Sequence, residues 1–378
     1  MLFIVLQQLS LVCLIILGVI TLVLLLYYFG LFARFSFRKE KPLHATEDFP
    51  PVSIVITARD EAHNLIKSLP LLLTQEYPNY EVVLVNDNSR DETASLLVEY
   101  KQRYNHLHPV DLSSSISNMQ GKRFPLSIGI QAATHEKVLL TDACCIPSSP
   151  YWLQHVAQQF VRNTQIVIGH VTCPKQEGAN NRIQRYDALM SSLQAFSYAM
   201  ANMPVLANGR NLAYTKTIFF QNQKKFVSQF RLPFGDDDIF INEIAKKNIQ
   251  NVVSHPDATI IQPQDSFFNW LRKKRFQCIS RSHYKLKSRF VLRNYNCMSL
   301  LFYFAAIVAL IVSLGNLACL LTAIGIIVVK IASQYVVQGM AAAKLNEKKL
   351  IPLFLWYDIV FAFLNPLINL ASNFEKWK

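Results

Sequence analysis

Acidic residues follow three apolar runs in this chain: Arg59-Asp60-Glu61 after VSIVITA (52–58), Asp87 after YEVVLV (80–85) and Asn86, and Asp142 after KVLLT (137–141). Each run has the length and apolar content of a buried strand, and in alternating α/β chains ligands bind outside the carboxyl ends of such strands. A single acid at a strand end commonly caps a helix or closes a turn. Acids at three ends together point to a binding crevice. A further acidic group, Gly235-Asp236-Asp237-Asp238, stands just before a helical pattern marked by Ile239, Phe240 and Ile244. Clustered carboxylates raise the proton affinity of at least one member, which suits it to accept a proton, although the same acids also suit a helix N-terminus. Arg272 and Arg275 lie three apart on one helical face, a spacing at which two guanidinium groups hold one anion.

The elements that must position these groups alternate. After the first strand, Ala62 to Thr74 has helical spacing with Leu65, Leu69, Leu72 and Leu73 on one side. A helix from about Asp91 to Tyr104 follows the second strand. A third strand over Leu107 to Leu112, a helix over Phe124 to Ala133 and the fourth strand complete the run. Such alternation predicts an α/β fold with a mostly parallel sheet flanked by helices. No GxGxxG, GxxxxGK[ST] or GxSxG occurs, which disfavours a dinucleotide-binding fold, a P-loop and an α/β-hydrolase. The seven cysteines show no CxxC spacing, so they imply a reducing compartment with neither a disulfide framework nor a zinc site. His106 and His108 fall on one face of a strand with no further ligand-like cluster nearby.

Composition places this block beside membrane segments. Of the 378 residues, 38 are Lys or Arg and 25 Asp or Glu, a balance of 38 − 25 = +13. Charged types make up 17% and apolar types 51%, against roughly 25% charged in an average soluble chain. Met1 to Ala33 carries no charge, and the basic residues Arg34, Arg38, Lys39 and Lys41 come after it, which predicts an uncleaved anchor with the following chain in the cytoplasm. Residues 297–337 exceed one span and predict a hairpin turning at Gly315-Asn316. The segment 350–371, which contains Pro352, Asp358 and Pro366, reads as spanning, interfacial or re-entrant, giving three or four spans. The expected organisation is an anchor (1–33), a basic linker (34–49), an α/β domain (50–265), a basic amphipathic segment (266–296), the hairpin, a basic loop (338–349) and the last apolar segment. From Ser266 to Asn296 nine Lys or Arg occur with no acid, interleaved with Phe267, Phe268, Trp270, Phe276, Tyr284 and Phe290. That pattern suits anionic lipid rather than nucleic acid.

Five stretches, PPVSIVITARDEAHNL, VVLVNDNSRDET, QGKRFPLSIGIQAATHEKVLLTDACCIPSSPYW, FGDDDIF and WLRKKRF, occur in the order in which similar motifs occur in membrane-bound family 2 glycosyltransferases. The chain resembles that family over roughly residues 50 to 290. The resemblance implies a GT-A fold, a nucleotide-diphosphate sugar as donor, a divalent cation (Mg²⁺ or Mn²⁺) and inversion at the anomeric carbon. It implies nucleotide contact by Asp87, with Thr57, Ala58, Arg59 and Glu61 lining the first loop, and a general base at Asp237. It also implies a donor-side Lys122, diphosphate binding by Arg272 and Arg275, and an acceptor side at Asp236, Gly209 and Asn211. Asp142 resembles the first acid of the family's metal-binding D-x-D, but the second position holds Cys144. A thiol is poorly matched to a hard cation, so the resemblance leaves Asp142 with phosphates and water to hold the metal.

The expected activity is transfer to a hydroxyl of a lipid-linked or glycan acceptor at a bacterial inner membrane. A processive polysaccharide synthase and a non-catalytic nucleotide- or lipid-binding protein are the alternatives.

Overall fold

The computed structural model describes residues 2–39, 49–112, 121–161, 163–203, 206–224, 236–244 and 249–373. The chain divides into two units, Lys39–Tyr284 and Met1–Arg38 with Lys285–Lys378.

In the first unit seven strands form one sheet in the order β3-β2-β1-β4-β8-β6-β9. β1 (Val52–Ala58), β2 (Tyr80–Asn86), β3 (Leu107–Asp111) and β4 (Lys137–Asp142) are mutually parallel. β6 (Ile166–Gly169) and β9 (Gln250–Val253) are parallel to each other, and β8 (Leu212–Thr215) runs antiparallel to both β4 and β6. A small second sheet joins β5 (Ile146–Pro147), β10 (Ile260–Ile261) and β7 (Val171–Thr172). β1 and β2 are buried along nearly their whole length, as parallel strands covered on both faces must be.

Register decides where the strand-end acids meet. Thr57 pairs with Val85 on one side and with Asp142 on the other, and Ala58 pairs with Asn86. The carboxyl ends of β1, β2 and β4 therefore lie side by side, and Asp87 and Asp142 share one edge of the sheet. The helix Arg123–Ala132 packs on this region through Gly129, where an added Cβ would stand 2.6 Å from Val55 Cγ1 and 2.9 Å from Val85 Cγ2. Only glycine permits that approach, and it sets where Lys122, just before the helix, can reach.

Asn211 joins three segments of the second half of the sheet. Its side chain accepts from Trp152 Nε1 at 3.1 Å and donates to the carbonyls of His170 and Ala258 at 2.8 Å each. Gly169 leaves the room: a Cβ there would lie 2.3 Å from the Asn211 amide. At the opposite end of the strands, Glu81 accepts from Ser53 Oγ, Thr134 N and Thr134 Oγ1 at 2.5, 2.6 and 2.7 Å. Burial, the largest influence, pushes its carboxyl upward, but these hydrogen bonds prevail and hold it below the ordinary range.

The second unit contains helices long and apolar enough to cross a membrane at Gln7–Ser36, Leu286–Gly315, Leu317–Lys344 and Lys348–Ala371. The second and third are separated at Asn316, whose side chain accepts from Ala318 N and Cys319 N at 3.1 and 3.2 Å and caps the returning helix. The helix that begins at Leu286 continues to Val312, so the second part of the basic stretch belongs to one of these long apolar helices.

Candidate active site

Asp142 ends β4 with both carboxylate oxygens engaged. Lys122 Nζ donates to Oδ1 at 2.9 Å and Arg210 Nε to Oδ2 at 2.8 Å. Arg210 also donates from Nη1 to Gln262 Oε1 at 2.7 Å. Burial alone would raise the Asp142 pKa, but the two cations and their hydrogen bonds outweigh it and hold the carboxyl well below the usual range. For Arg210 burial works toward deprotonation, and Asp142 more than reverses it. Asp142 and Arg210 each hold the other in its charged form.

The neighbouring loops are stitched to one another. Asp60, in the left-handed region at φ 55°, accepts from Arg90 N at 2.6 Å and donates from its own N–H to Ser89 Oγ at 3.0 Å. Glu61 N donates to Thr93 Oγ1 at 3.2 Å and Ala62 N to Asp91 Oδ2 at 2.9 Å. Asp87 is 7% exposed and lies 3.8 Å from Arg59 Nη1, while Glu61 accepts from Asn64 Nδ2 at 2.5 Å.

From this cluster opens a cavity of about 480 Å³, with Lys122, Asp142 and Arg210 in its wall. The helices Ala179–Met200 and Phe267–Ser280 supply further polar lining, including Gln184, Asp187, Trp270 and Gln277. Trp270 Nε1 donates to Asp187 Oδ2 at 3.1 Å and Lys274 Nζ to Asp187 Oδ1 at 2.5 Å. Asp238 faces the same cavity and accepts from Ala207 N at 2.5 Å. Burial and then Asp238 push the Tyr284 hydroxyl well above its ordinary pKa. Burial opposes the charge on Arg281, but Cys278, Tyr284, Asp238 and Asp187 around it raise its pKa overall.

Residues 53–222 match the family model described as Glycosyl transferase family 2. The chain carries a family 2 glycosyltransferase domain. A poly-beta-1,6-N-acetyl-D-glucosamine synthase of Staphylococcus epidermidis is 27% identical over 183 residues, 46% of this chain and 39% of that protein. The synthase of the same name from Staphylococcus aureus strain COL is 26% identical over 175 residues, 46% of this chain and 38% of the other. The chain thus spans well under half of these relatives' length. Among solved structures, the mannosyltransferase of Pyrobaculum calidifontis, determined with GDP-Man and Mn²⁺, superposes with a TM-score of 0.53 at 18% identity. The match covers 95% of this chain and 100% of that one, which establishes the GT-A type of fold.

Within this family 2 domain, the structure brings Thr57, Lys122 and Asp142 together and sets Arg59 and Asp87 on the same sheet edge. Gly209 lines the cavity beside Arg210. Asn211, expected on the acceptor side, is 1% exposed and spends its amide on the three segments named above. Arg272 and Arg275, expected at the diphosphate, are not in the cavity wall; Trp270, Lys274, Gln277 and Arg281 are. Steps of four, three and four residues keep those four on one helical face, which leaves Arg272 exposed with its guanidinium 5.6 Å over the Phe276 ring. Gly235 and the side chains of Asp236 and Asp237 lie outside the described residues. Arg210, Gln262 and Asp187 were not singled out from sequence. Arg210 stands inside the Gly209-Arg210-Asn211 stretch that resembles the family, which was the available signal.

The family implies a divalent cation near Asp142. Asp142, Cys144 and Cys145 each offer one donor atom, all within 4.8 Å of one another. The two sulfurs are soft and unsuited to Mg²⁺ or Mn²⁺. The ionised Asp142 does fit, because such ions take one or two carboxylates and complete their shell with substrate phosphates and water.

Proposed function

We propose that the domain transfers a sugar from a nucleotide-diphosphate sugar to a hydroxyl of a membrane-associated acceptor, lipid-linked or glycan, with inversion. The observation that carries this reading is the Asp142 cluster: an ionised carboxylate at a strand end, clasped by two cations, opening directly into a cavity lined by an indole, carboxylates and amides. Carboxylates and amides bind sugar hydroxyls, and an aromatic face covers the apolar side of a ring.

Asp87 and Arg59, with Thr57 and Glu61 beside them, hold the nucleoside at the ends of β1 and β2. Lys122 and Arg210 face the diphosphate and stabilise the charge that grows on it as the glycosidic bond breaks. Asp142 is the residue that would hold a divalent cation, Mg²⁺ or Mn²⁺, which when bound polarises phosphate oxygens. The Mn²⁺ in the mannosyltransferase supports a cation in this fold. Asp237, at the start of the helix Asp236–Ile244, takes the proton of the attacking hydroxyl, and Asp236 stands beside it on the acceptor side. Attack opposite the departing diphosphate inverts the anomeric carbon.

The four apolar helices support a membrane-associated acceptor. The basic residues after the first of them support a cytoplasmic domain, by the positive-inside tendency. Exposed Leu286 and Phe290, interleaved with Lys285, Lys287, Arg289 and Arg293, suit an anionic lipid surface. A second reading, repeated transfer to build a polysaccharide, is favoured by the names of the staphylococcal relatives.

Membranes containing the chain, given radiolabelled UDP- and GDP-sugars, should incorporate label into a lipid or glycan fraction. Asp237→Asn should lower that incorporation by roughly 10²–10⁴-fold. Equal incorporation by the two proteins would remove Asp237 from the mechanism. Absence of incorporation with every donor, despite nucleotide binding, would favour a binding protein. Product length separates single transfer from polymerisation.

A further inference from the structure

The charge at the end of β4 is arranged differently from what a D-x-D pair would produce. Among the described residues, Lys122 and Arg210 both donate to the carboxylate of Asp142, and these three side chains sum to 2 − 1 = +1. A second acid at position 144 would make it 2 − 2 = 0, and a cation would then be needed before a dianionic diphosphate could enter. Cys144 stands there, and its sulfur is a soft donor that supplies no hard oxygen to a cation.

Both cations are also held in place before any ligand arrives. Lys122 precedes a helix whose approach to the sheet Gly129 permits. Arg210 sits in the turn Gly209–Asn211, fixed from below by the three hydrogen bonds of Asn211 and laterally by Gln262. Both line the cavity. A guanidinium and an ammonium already ordered lose little entropy when phosphate oxygens join the carboxylate as acceptors of their remaining N–H groups.

We propose that Lys122 and Arg210 are the diphosphate-binding pair of this domain, so that a nucleoside diphosphate binds without any divalent cation, which strengthens the site instead of creating it. Arg210 thereby gains the role that the basic helix was expected to play through Arg272 and Arg275. The proposal rests on the transferase reading above and adds to it the order of importance of cation and side chains.

Calorimetric titration of UDP and of GDP into the full chain in detergent, in EDTA and then with Mg²⁺ or Mn²⁺, tests it. In EDTA at least one nucleotide should bind, and added cation should tighten it by less than about tenfold, or about 1.4 kcal/mol. Arg210→Gln should weaken binding in EDTA by about tenfold or more, with Arg210→Lys recovering part of the loss because it keeps the charge. Cys144→Asp should abolish binding in EDTA and restore it with cation, a gain of dependence that a misfolded variant would not show. Wild-type binding seen only with cation, or Arg210→Gln that binds as wild type in EDTA, would overturn the proposal while leaving the transferase reading standing. Binding of neither nucleotide under any condition would overturn both.

Discussion

The two units each enclose a carboxylate–cation cluster, and the clusters differ in what they leave open. Among the long apolar helices Lys330 Nζ donates to Asp358 Oδ2 at 2.6 Å, to Gln334 Oε1 at 2.7 Å and to Tyr303 Oη at 3.4 Å. Those acceptors use its three N–H donors, and the Phe302 and Tyr303 rings lie 4.9 and 5.0 Å from the same nitrogen. The pair is 0% and 6% exposed. In the family 2 domain Asp142 and Arg210 are 20% and 28% exposed and share the wall of a cavity. The same ionic chemistry therefore does two jobs. In the first the pair ties one helix to another; in the second the two cations that share one carboxylate line a cavity wall.

The largest effect separating the clusters should appear on transfer. Asp142→Asn should reduce sugar incorporation by about 10²-fold or more, since the cations lose their organising charge and any bound cation its carboxylate. Lys330→Met should leave the chemistry of the nucleotide site unchanged, as judged by UDP or GDP affinity. A Asp142→Asn protein that transfers like wild type would erase the distinction.

Stability should show the reverse ranking. Lys330→Met strands a buried carboxylate and should cost roughly 3–5 kcal/mol, whereas Lys330→Met combined with Asp358→Leu should return close to wild type. Thermal unfolding in detergent reads both, and single and double variants of equal stability would show that the two side chains are not coupled.

Glu81 adds a third kind of carboxylate, one held chiefly by hydroxyl and backbone donors, with His108 Nε2 3.5 Å from its other oxygen. Glu81→Gln should cost about 1–3 kcal/mol at neutral pH. Its folded-state pKa is lowered, so its contribution is present above the ordinary value of about 4.5 and is lost as the pH falls from there through the folded value. Melting temperatures taken between about pH 3 and pH 7 should therefore converge for wild type and variant at the acid end. A constant gap across that range would contradict the assignment.

The smallest effect is expected at the cavity wall. Trp270→Phe removes the hydrogen bond to Asp187 and should cost about 0.5–1.5 kcal/mol in unfolding measurements.

The same contrast explains what could be read from the sequence. The parallel half of the sheet was legible because buried parallel strands are continuous apolar runs, and β1, β2 and β4 appear within a residue or two of where VSIVITA, YEVVLV and KVLLT place them. The convergence of Asp87 and Asp142 followed from strand order and register. The antiparallel insertion of β8 and the two-residue strands were not legible, since their short segments carry no period. Density of charge hid the phase of the helix Phe267–Ser280: with four basic residues in succession, every face looks competent, and only the burial of Trp270 fixes which one turns inward. Arg210 escaped notice for a related reason, because a lone arginine in a three-residue turn has no pattern beyond its neighbours. Asn211 misled in the opposite direction: a polar residue in a loop reads as a ligand contact until its three hydrogen bonds are seen.

The most direct test of the Asp142 cluster is an experimental structure of the full chain with bound UDP or GDP. The expected result is a diphosphate whose oxygens lie roughly 2.7–2.9 Å from Lys122 Nζ and the Arg210 guanidinium, at the mouth of the cavity that Trp270 and Asp187 line. A nucleotide bound elsewhere, with Lys122 and Arg210 still closed on Asp142, would contradict it.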